Sequence, residues 1–138
     1  MKVYLDSDVL LDFLLKREPF FEEAIKLFFL KDDHELSFYT SAIIFSNIYY
    51  FSSKHFEKKI LINKLKDLAT LVEIVDSTKQ SIHLSFDSDF SDFEDAIQYY
   101  TAIENDCAFL ITRNVKDYKK GKNIRVLTSS QFCKLLIK

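Results

Sequence analysis

The residues of this chain that could do chemistry are acids. Asp6 closes the short run Val3, Tyr4, Leu5, and Asp8 follows one residue later. Asp92, Glu94 and Asp95 crowd together, and Asp117 ends the segment Thr112, Arg113, Asn114, Val115, Lys116, Asp117. Carboxylates gathered in a poorly solvated cleft repel one another strongly. A divalent cation removes that repulsion, and hard ions such as Mg²⁺ and Mn²⁺ take oxygen ligands, usually a few carboxylates plus water. Such an ion polarises phosphoryl oxygens and lowers the pKa of water, and a pair of ions flanks both attacking and leaving oxygens. His34, His55 and His83 lack ligand spacing. A donor set of carboxylates alone points to phosphodiester chemistry.

Each acid also has an ordinary structural reading. Asp6 could end a strand in a turn. Asp92 reads as a helix cap before it reads as a ligand. Glu94 and Asp95 could be first-turn acids favoured by the helix dipole. Asn114 suits a turn or a polar wall of a site. Lys116, Lys119, Lys120, Lys122 and Arg125 surround Asp117. They form either a solvated loop or a set of cations for phosphates. The pairs Tyr49–Tyr50 and Tyr99–Tyr100 read as core or dimer surface rather than as platforms for bases.

For these acids to meet, the elements must carry them to one edge. Residues 3–5 are a first strand ending at Asp6. Pro19 suits the first turn of a helix over residues 20–30, with Phe20, Phe21, Ala24, Ile25 and Phe28 at helical spacing. Residues 36–40 are a second strand. Ser41 caps a helix through Ile43, Ile44, Ile48 and Phe51, and a further helix carries Phe56, Ile60, Leu61, Leu65 and Leu68. Residues 71–75 are a third strand. Ser77 and Gln80 have capping-box spacing for a helix through Ile82 and Phe86. Asp92 caps a helix with Phe93, Ala96, Ile97, Tyr100 and Ile103. Residues 108–111 and 124–127 are the fourth and fifth strands, with Gly121 in the lysine-rich turn between them. Ser129 or Ser130 starts a last helix through Phe132, Leu135 and Leu136. Strands alternating with helices imply an α/β fold, a parallel sheet of about five strands with helices on both faces. Ligands of such sheets gather outside the carboxyl ends of the strands, where Asp6 and Asp117 fall.

The bulk numbers fit one domain over residues 1–138. The chain is 48% apolar and 29% charged, with a net charge of −2. A broad basic face for nucleic acid is therefore not expected, although local charge near a site can still act. Cys107 and Cys133 lie in apolar runs and read as buried free thiols of a reducing compartment. Asp6, Asp8 and Asp12 interrupt the apolar start, and no segment reaches the length of a membrane span. The expected location is cytoplasmic, with no membrane partner.

The motifs, taken in order, resemble the PIN-domain family. L-D-S-D-V-L-L-D at 5–12 is similar to the family's opening. D-F-E-D-A at 92–96 and T-R-N-V-K-D-Y at 112–118 are similar to its third and fourth motifs. The resemblance covers essentially the whole chain. It implies a PIN-like fold and a Mg²⁺- or Mn²⁺-dependent ribonuclease acting on RNA, of the kind found as toxins of toxin–antitoxin pairs. It further implies an antitoxin protein as partner and a homodimer. Asp6, Asp95 and Asp117 match the family's metal-holding, catalytic acids. Asp8, Asn47, Asp92, Glu94, Thr112 and Asn114 are candidates for lining the site, and Arg113, Lys116 and Lys119 for holding RNA. One departure stands out. Where the second motif usually places a Glu, S-N-I-Y-Y at 46–50 puts Asn47, whose amide offers an oxygen but no charge. Glu94 or Asp92 would have to compensate.

Two other readings compete. Loss of the second-motif carboxylate would suit a PIN fold that only binds RNA or a protein. Asp6 and Asp8, separated by one residue, also resemble the nucleophile and acid of haloacid-dehalogenase-type phosphatases. The single glycine and the short length speak against that family.

Overall fold

The computed structural model describes residues 1–137. The short β-favouring runs form strands β1 (Lys2–Leu5), β2 (Ser37–Ser41), β3 (Glu73–Val75), β4 (Phe109–Ile111) and β5 (Arg125–Leu127). All four pairings are parallel, and the order across the sheet is β3-β2-β1-β4-β5. Parallel neighbours need crossovers. Helices supply them: α1 (Ser7–Leu14), α2 (Phe21–Phe29), α3 (Ala42–Ser52), α4 (Lys58–Ala69), α5 (Lys79–Phe86) and α6 (Phe93–Glu104), with α7 (Ser129–Ile137) closing the chain.

The central strand explains the layering. Val3, Tyr4 and Leu5 are each fully buried. Successive strand side chains point to opposite faces, so both faces of β1 must be covered. The Tyr4 hydroxyl donates to Gln98 of α6, which assigns α6 to one face. On that side α6 packs on α5 and β2. The second group joins α1 to α2 and α3, α2 to α7, and α3 to α4. The chain reverses direction across the sheet at β1, whose neighbours are β2 on one side and β4 on the other. The crevice beyond the carboxyl ends of β1 and β4 is the switch point where such sheets hold ligands.

Local chemistry sets the element ends. Ser41 caps α3 by accepting from Ile44 N at 3.2 Å, and Asp92 caps α6 by accepting from Asp95 N at 3.0 Å, both as expected. Three details differ from expectation. Pro19 lies before α2, not within its first turn; α2 starts at Phe21. The cap of α5 is Thr78, which accepts from Ser81 N, while Ser77 pairs its hydroxyl with Thr101. The hydroxyl one residue further on is the one that faces the helix start. Helix α1 is a further element that apolar spacing had not flagged, because it follows β1 with no intervening turn.

Gly121 marks a close approach: a Cβ there would meet the Tyr99 ring at 2.2 Å. The Tyr99 hydroxyl accepts from Asn123 N at 2.7 Å, tying the lysine-rich turn to α6. Cys107 and Cys133 are free and buried. Among the described residues no helix is long and apolar enough to cross a membrane.

Candidate active site

Asp6 sits where β1 becomes α1. Its N–H donates to Ile111 O at 3.0 Å, extending the β1–β4 ladder by one residue. Its carboxylate then caps α1, with Oδ1 accepting from Ser7 N at 2.7 Å. Oδ2 accepts from Thr112 Oγ1 at 3.0 Å and from the Tyr118 hydroxyl at 2.9 Å. Asp6 is only 7% exposed. Burial pushes its carboxyl above the ordinary range, while hydrogen bonds from Tyr118, Ser7 and Thr112 pull against that shift.

Asp95 comes from the first turn of α6, half-buried, with the Tyr118 hydroxyl 3.4 Å from Oδ1. Its pKa is pushed up to about 7, first by burial and then by the charges of Asp6, Asp92 and Asp117. Asp117 lies in a 3-10 turn, Val115–Tyr118, whose N–H from Asp117 donates to Asn114 O at 2.9 Å. Asp6, Asp92 and Asp117 therefore all lie within electrostatic reach of Asp95. Among the described residues, however, no three His, Cys, Asp or Glu side chains stand close enough to enclose a metal ion.

Asp8 does different work. Its Oδ2 accepts from Thr112 Oγ1 (3.2 Å), Arg113 N (3.0 Å) and Asn114 Nδ2 (3.3 Å). One Thr112 proton serves Asp6 and Asp8 in turn. Asp8 thus anchors residues 112–114, and its pKa is pushed up to about 6 by burial and then by the Asp6 charge. Its Oδ1 is buried without a partner. One turn on, Asp12 accepts from Arg17 Nε at 2.9 Å. Arg113 Nε lies 3.0 Å from Asp12 Oδ2 as an ion pair, off the line of a hydrogen bond. The Arg113 guanidinium also stacks 4.0 Å over the Phe20 ring.

The remaining expected residues divide. Thr112 and Asn114 touch the acids. Asn47 bonds neither Asp6 nor Asp95; its Nδ2 donates to Glu94 Oε1 at 2.7 Å. Arg113, expected to hold RNA, has its guanidinium taken up by Asp12 and Phe20. Lys116 and Lys119 are exposed on and beside the turn that carries Asp117.

A family model described as PIN domain matches residues 2–116. The chain belongs to the PIN-domain family. The ribonuclease VapC1 of Aquifex aeolicus (strain VF5) is 25% identical over 137 residues, spanning 96% of this chain and 93% of that protein. The VapBC2 structure from Rickettsia felis, bound to a DNA fragment from their promoter, superposes with a TM-score of 0.71 at 19% identity, covering 91% of this chain and 97% of that one. FitAcB from Neisseria gonorrhoeae gives 0.71 at 15% identity, covering 93% and 98%. These likenesses bear out the expected five-stranded PIN fold.

This PIN domain contains residues at its crevice that the motifs alone had not assigned. Tyr118 joins Asp6 to Asp95, and an aromatic directly after Asp117 was its only signal. Gln98 accepts from Tyr4 and from Ser41 Oγ (3.1 Å), one turn beyond Asp95 on α6. Asp12 had been read only as a break in an apolar run. The donor set fits a hard cation. It is all oxygen and carries mutually repelling carboxylates, the donor chemistry of Mg²⁺-like ions, which keep several waters and take one or two carboxylates.

The raised carboxyls give the PIN domain a defined pH response. Asp95 has an ordinary value of 3.8 and stands at about 7 when folded. The folded chain therefore binds more protons than the unfolded chain between these values, and stability falls as pH rises through that window. Asp8, at about 6, acts in the same direction. In chelator, the contribution of Asp95 and Asp8 should lower the melting temperature from about pH 4 to about pH 7 and level off above it. Asp95→Asn should flatten the decline; a melting temperature that rises with pH would contradict the assignment.

Proposed function

We propose that this PIN domain is an endoribonuclease that uses Mg²⁺ or Mn²⁺ and serves as the toxin of a toxin–antitoxin pair. The observation that carries the reading is the convergence of Asp6, Asp92 and Asp117 on Asp95 at the crevice, where burial first and those charges second push the Asp95 carboxyl up to about 7. Such a group is poised for a cation or a proton, the two partners that phosphodiester hydrolysis requires. Kinship in sequence with a ribonuclease supports the substrate class.

Asp6, Asp95 and Asp117 would hold the ion. When bound, it supplies Lewis acidity to the phosphoryl group and a more acidic water. The chain's own groups prepare the rest. Ser7 N–H, Thr112 and Tyr118 fix the Asp6 carboxylate in one orientation. The Tyr118 hydroxyl spans Asp6 and Asp95. Lys116 and Lys119 offer exposed ammonium groups to phosphates flanking the scissile bond. The neighbouring structures of toxin–antitoxin complexes support an antitoxin as partner, and the family resemblance supports a homodimer. The phosphatase reading is not supported by Asp8, whose Oδ2 accepts from residues 112–114 and whose Oδ1 is buried.

Mixed RNA incubated with purified protein tests the reading. Cleavage is expected with Mn²⁺ and not with EDTA, and Asp95→Asn should be inert. Cleavage that survives EDTA, or that Asp95→Asn retains in full, would refute it. Inert wild-type protein whose melting temperature ignores Mn²⁺ would favour the binding-only PIN fold instead.

A further inference from the structure

Two phenylalanines that the acids leave unused stand in the open beside them. Phe86, the last residue of α5, is 63% exposed, and Phe93, the first residue of α6, is 47% exposed. Their rings stack, with centroids 5.5 Å apart and planes 8° from parallel. We infer that this stack is a base-binding platform, on which Phe93 receives an unpaired base of single-stranded RNA adjoining the acidic crevice. Such a role deepens the ribonuclease reading and rests on it.

The connection between α5 and α6 holds the rings in place. Phe90 turns inward where Phe86 and Phe93 turn outward. Its ring packs on Tyr99 at 5.2 Å and on Tyr118 at 5.9 Å. Ser88 Oγ donates to Ser85 O at 3.0 Å, and Asp92 caps α6, so both ends of the connection are tied. His83 meets Phe86 edge-to-face at 5.6 Å. Phe86 is thus braced by two rings, whereas Phe93 rests on Phe86 alone among the described rings and turns its other face to solvent. A platform ordered in advance loses little freedom when a ligand settles on it.

Position and charge select the ligand. Phe93 precedes Asp95 by two residues in one helical turn, so a base stacked on it belongs to a nucleotide beside the crevice. The turn Val115–Tyr118 packs on α6, and Lys116 on it and Lys119 after it are exposed. Residues 80–112 contain no Lys or Arg, while Asp87, Asp89, Asp92 and Glu94 are exposed. The α5–α6 side therefore repels phosphates and offers only an aromatic surface, and every base has a face that stacks on one. A single strand satisfies both sides, with phosphates toward the lysines and one base toward Phe93. A duplex does not, because its bases are already stacked and its second phosphate strand would meet the exposed acids.

Fluorescence polarisation of a short labelled single-stranded RNA, in EDTA so that the strand stays whole, tests the platform across a salt series. Phe93→Ala is expected to weaken binding by about tenfold, within the range for losing one base–aromatic stack, and to leave the salt dependence unchanged. Phe93→Leu keeps apolar bulk without a ring and should be as weak; Phe93→Tyr should bind like wild type. Lys116→Ala should instead flatten the log–log salt slope by about 0.7. Wild-type affinity in Phe93→Ala or Phe93→Leu overturns the platform. So does sedimentation showing that Phe93→Ala dissociates a wild-type dimer, which would give the stack to a second copy of the chain. Wild-type protein that binds no RNA in EDTA and cleaves none with Mn²⁺ would refute the ribonuclease reading itself.

Discussion

Asp6→Asn is expected to abolish RNA cleavage and, in chelator, to raise the melting temperature. Loss of activity follows from removing the most constrained carboxylate of the crevice; a fall of at least about 10²-fold is the scale for deleting one preorganised electrostatic group. The gain in stability follows from the same burial. Asp6 is 7% exposed, and desolvation holds its carboxyl above the ordinary range despite three donors. Near neutral pH the folded chain carries that charge at a cost, which a neutral amide removes. The amide oxygen can still accept from Ser7 N, and the Thr112 and Tyr118 hydroxyls can rotate to accept from the amide NH₂. A gain of about 1 kcal/mol corresponds to about 3 °C in a chain of this size. Cleavage assays paired with melting curves check both halves. A variant that is both inactive and less stable would show that Asp6 holds the fold rather than the chemistry.

Asp12→Ala should cost about 2 kcal/mol of stability, below the range for a fully buried ion pair because solvent relieves part of the loss. Asp12 is 3% exposed at its side chain, against 28% for Arg17 and 32% for Arg113. Its two oxygens hold one arginine from the turn after α1 and one from the loop after β4. Removing them frees Arg17, whose Nη2 also reaches Asp8 O at 3.3 Å, and leaves Arg113 with only the Phe20 face. Residues 112–114 then lose one anchor and keep those of Asp6, Asp8 and Leu127 O, so cleavage should fall as well. Asp12→Asn keeps an acceptor for Arg17 and should lose less. Urea titration of the three proteins gives the comparison; equal midpoints would show that the pair contributes nothing.

The sequence made the strands and their order of succession legible because each is a compact apolar or β-branched run closed by a polar residue. Ser41 and Asp92 were readable as caps because cap chemistry is local. Helix α1 was less so: Asp8 and Asp12 interrupt its apolar positions, yet Asp12 is buried, since its charge is met by arginines that lie elsewhere in the chain. The fold's acids were nameable from the motifs, and their mutual influence on Asp95 follows from the sheet order. The contacts of Tyr118, Gln98 and Arg113 were not readable, because each joins elements far apart in sequence. Arg113 illustrates this best. Beside Asp117 it looks like a cation for RNA, and only the packing of α1 on the loop after β4 gives it to Asp12.

The hydrogen bonds that fix Asp6 reach across 106 residues to Thr112 and 112 to Tyr118. Asp6 leaves the ribosome more than a hundred residues before the groups that orient it. Until β4 and its following turn have emerged, β1 lacks one of its two neighbours and Asp6 has neither hydroxyl donor. A chain still being translated therefore carries the first acid of the site without the site. The architecture delays the completed crevice until the turn after β4 has been made, so a product cut short before that turn is inert by topology alone.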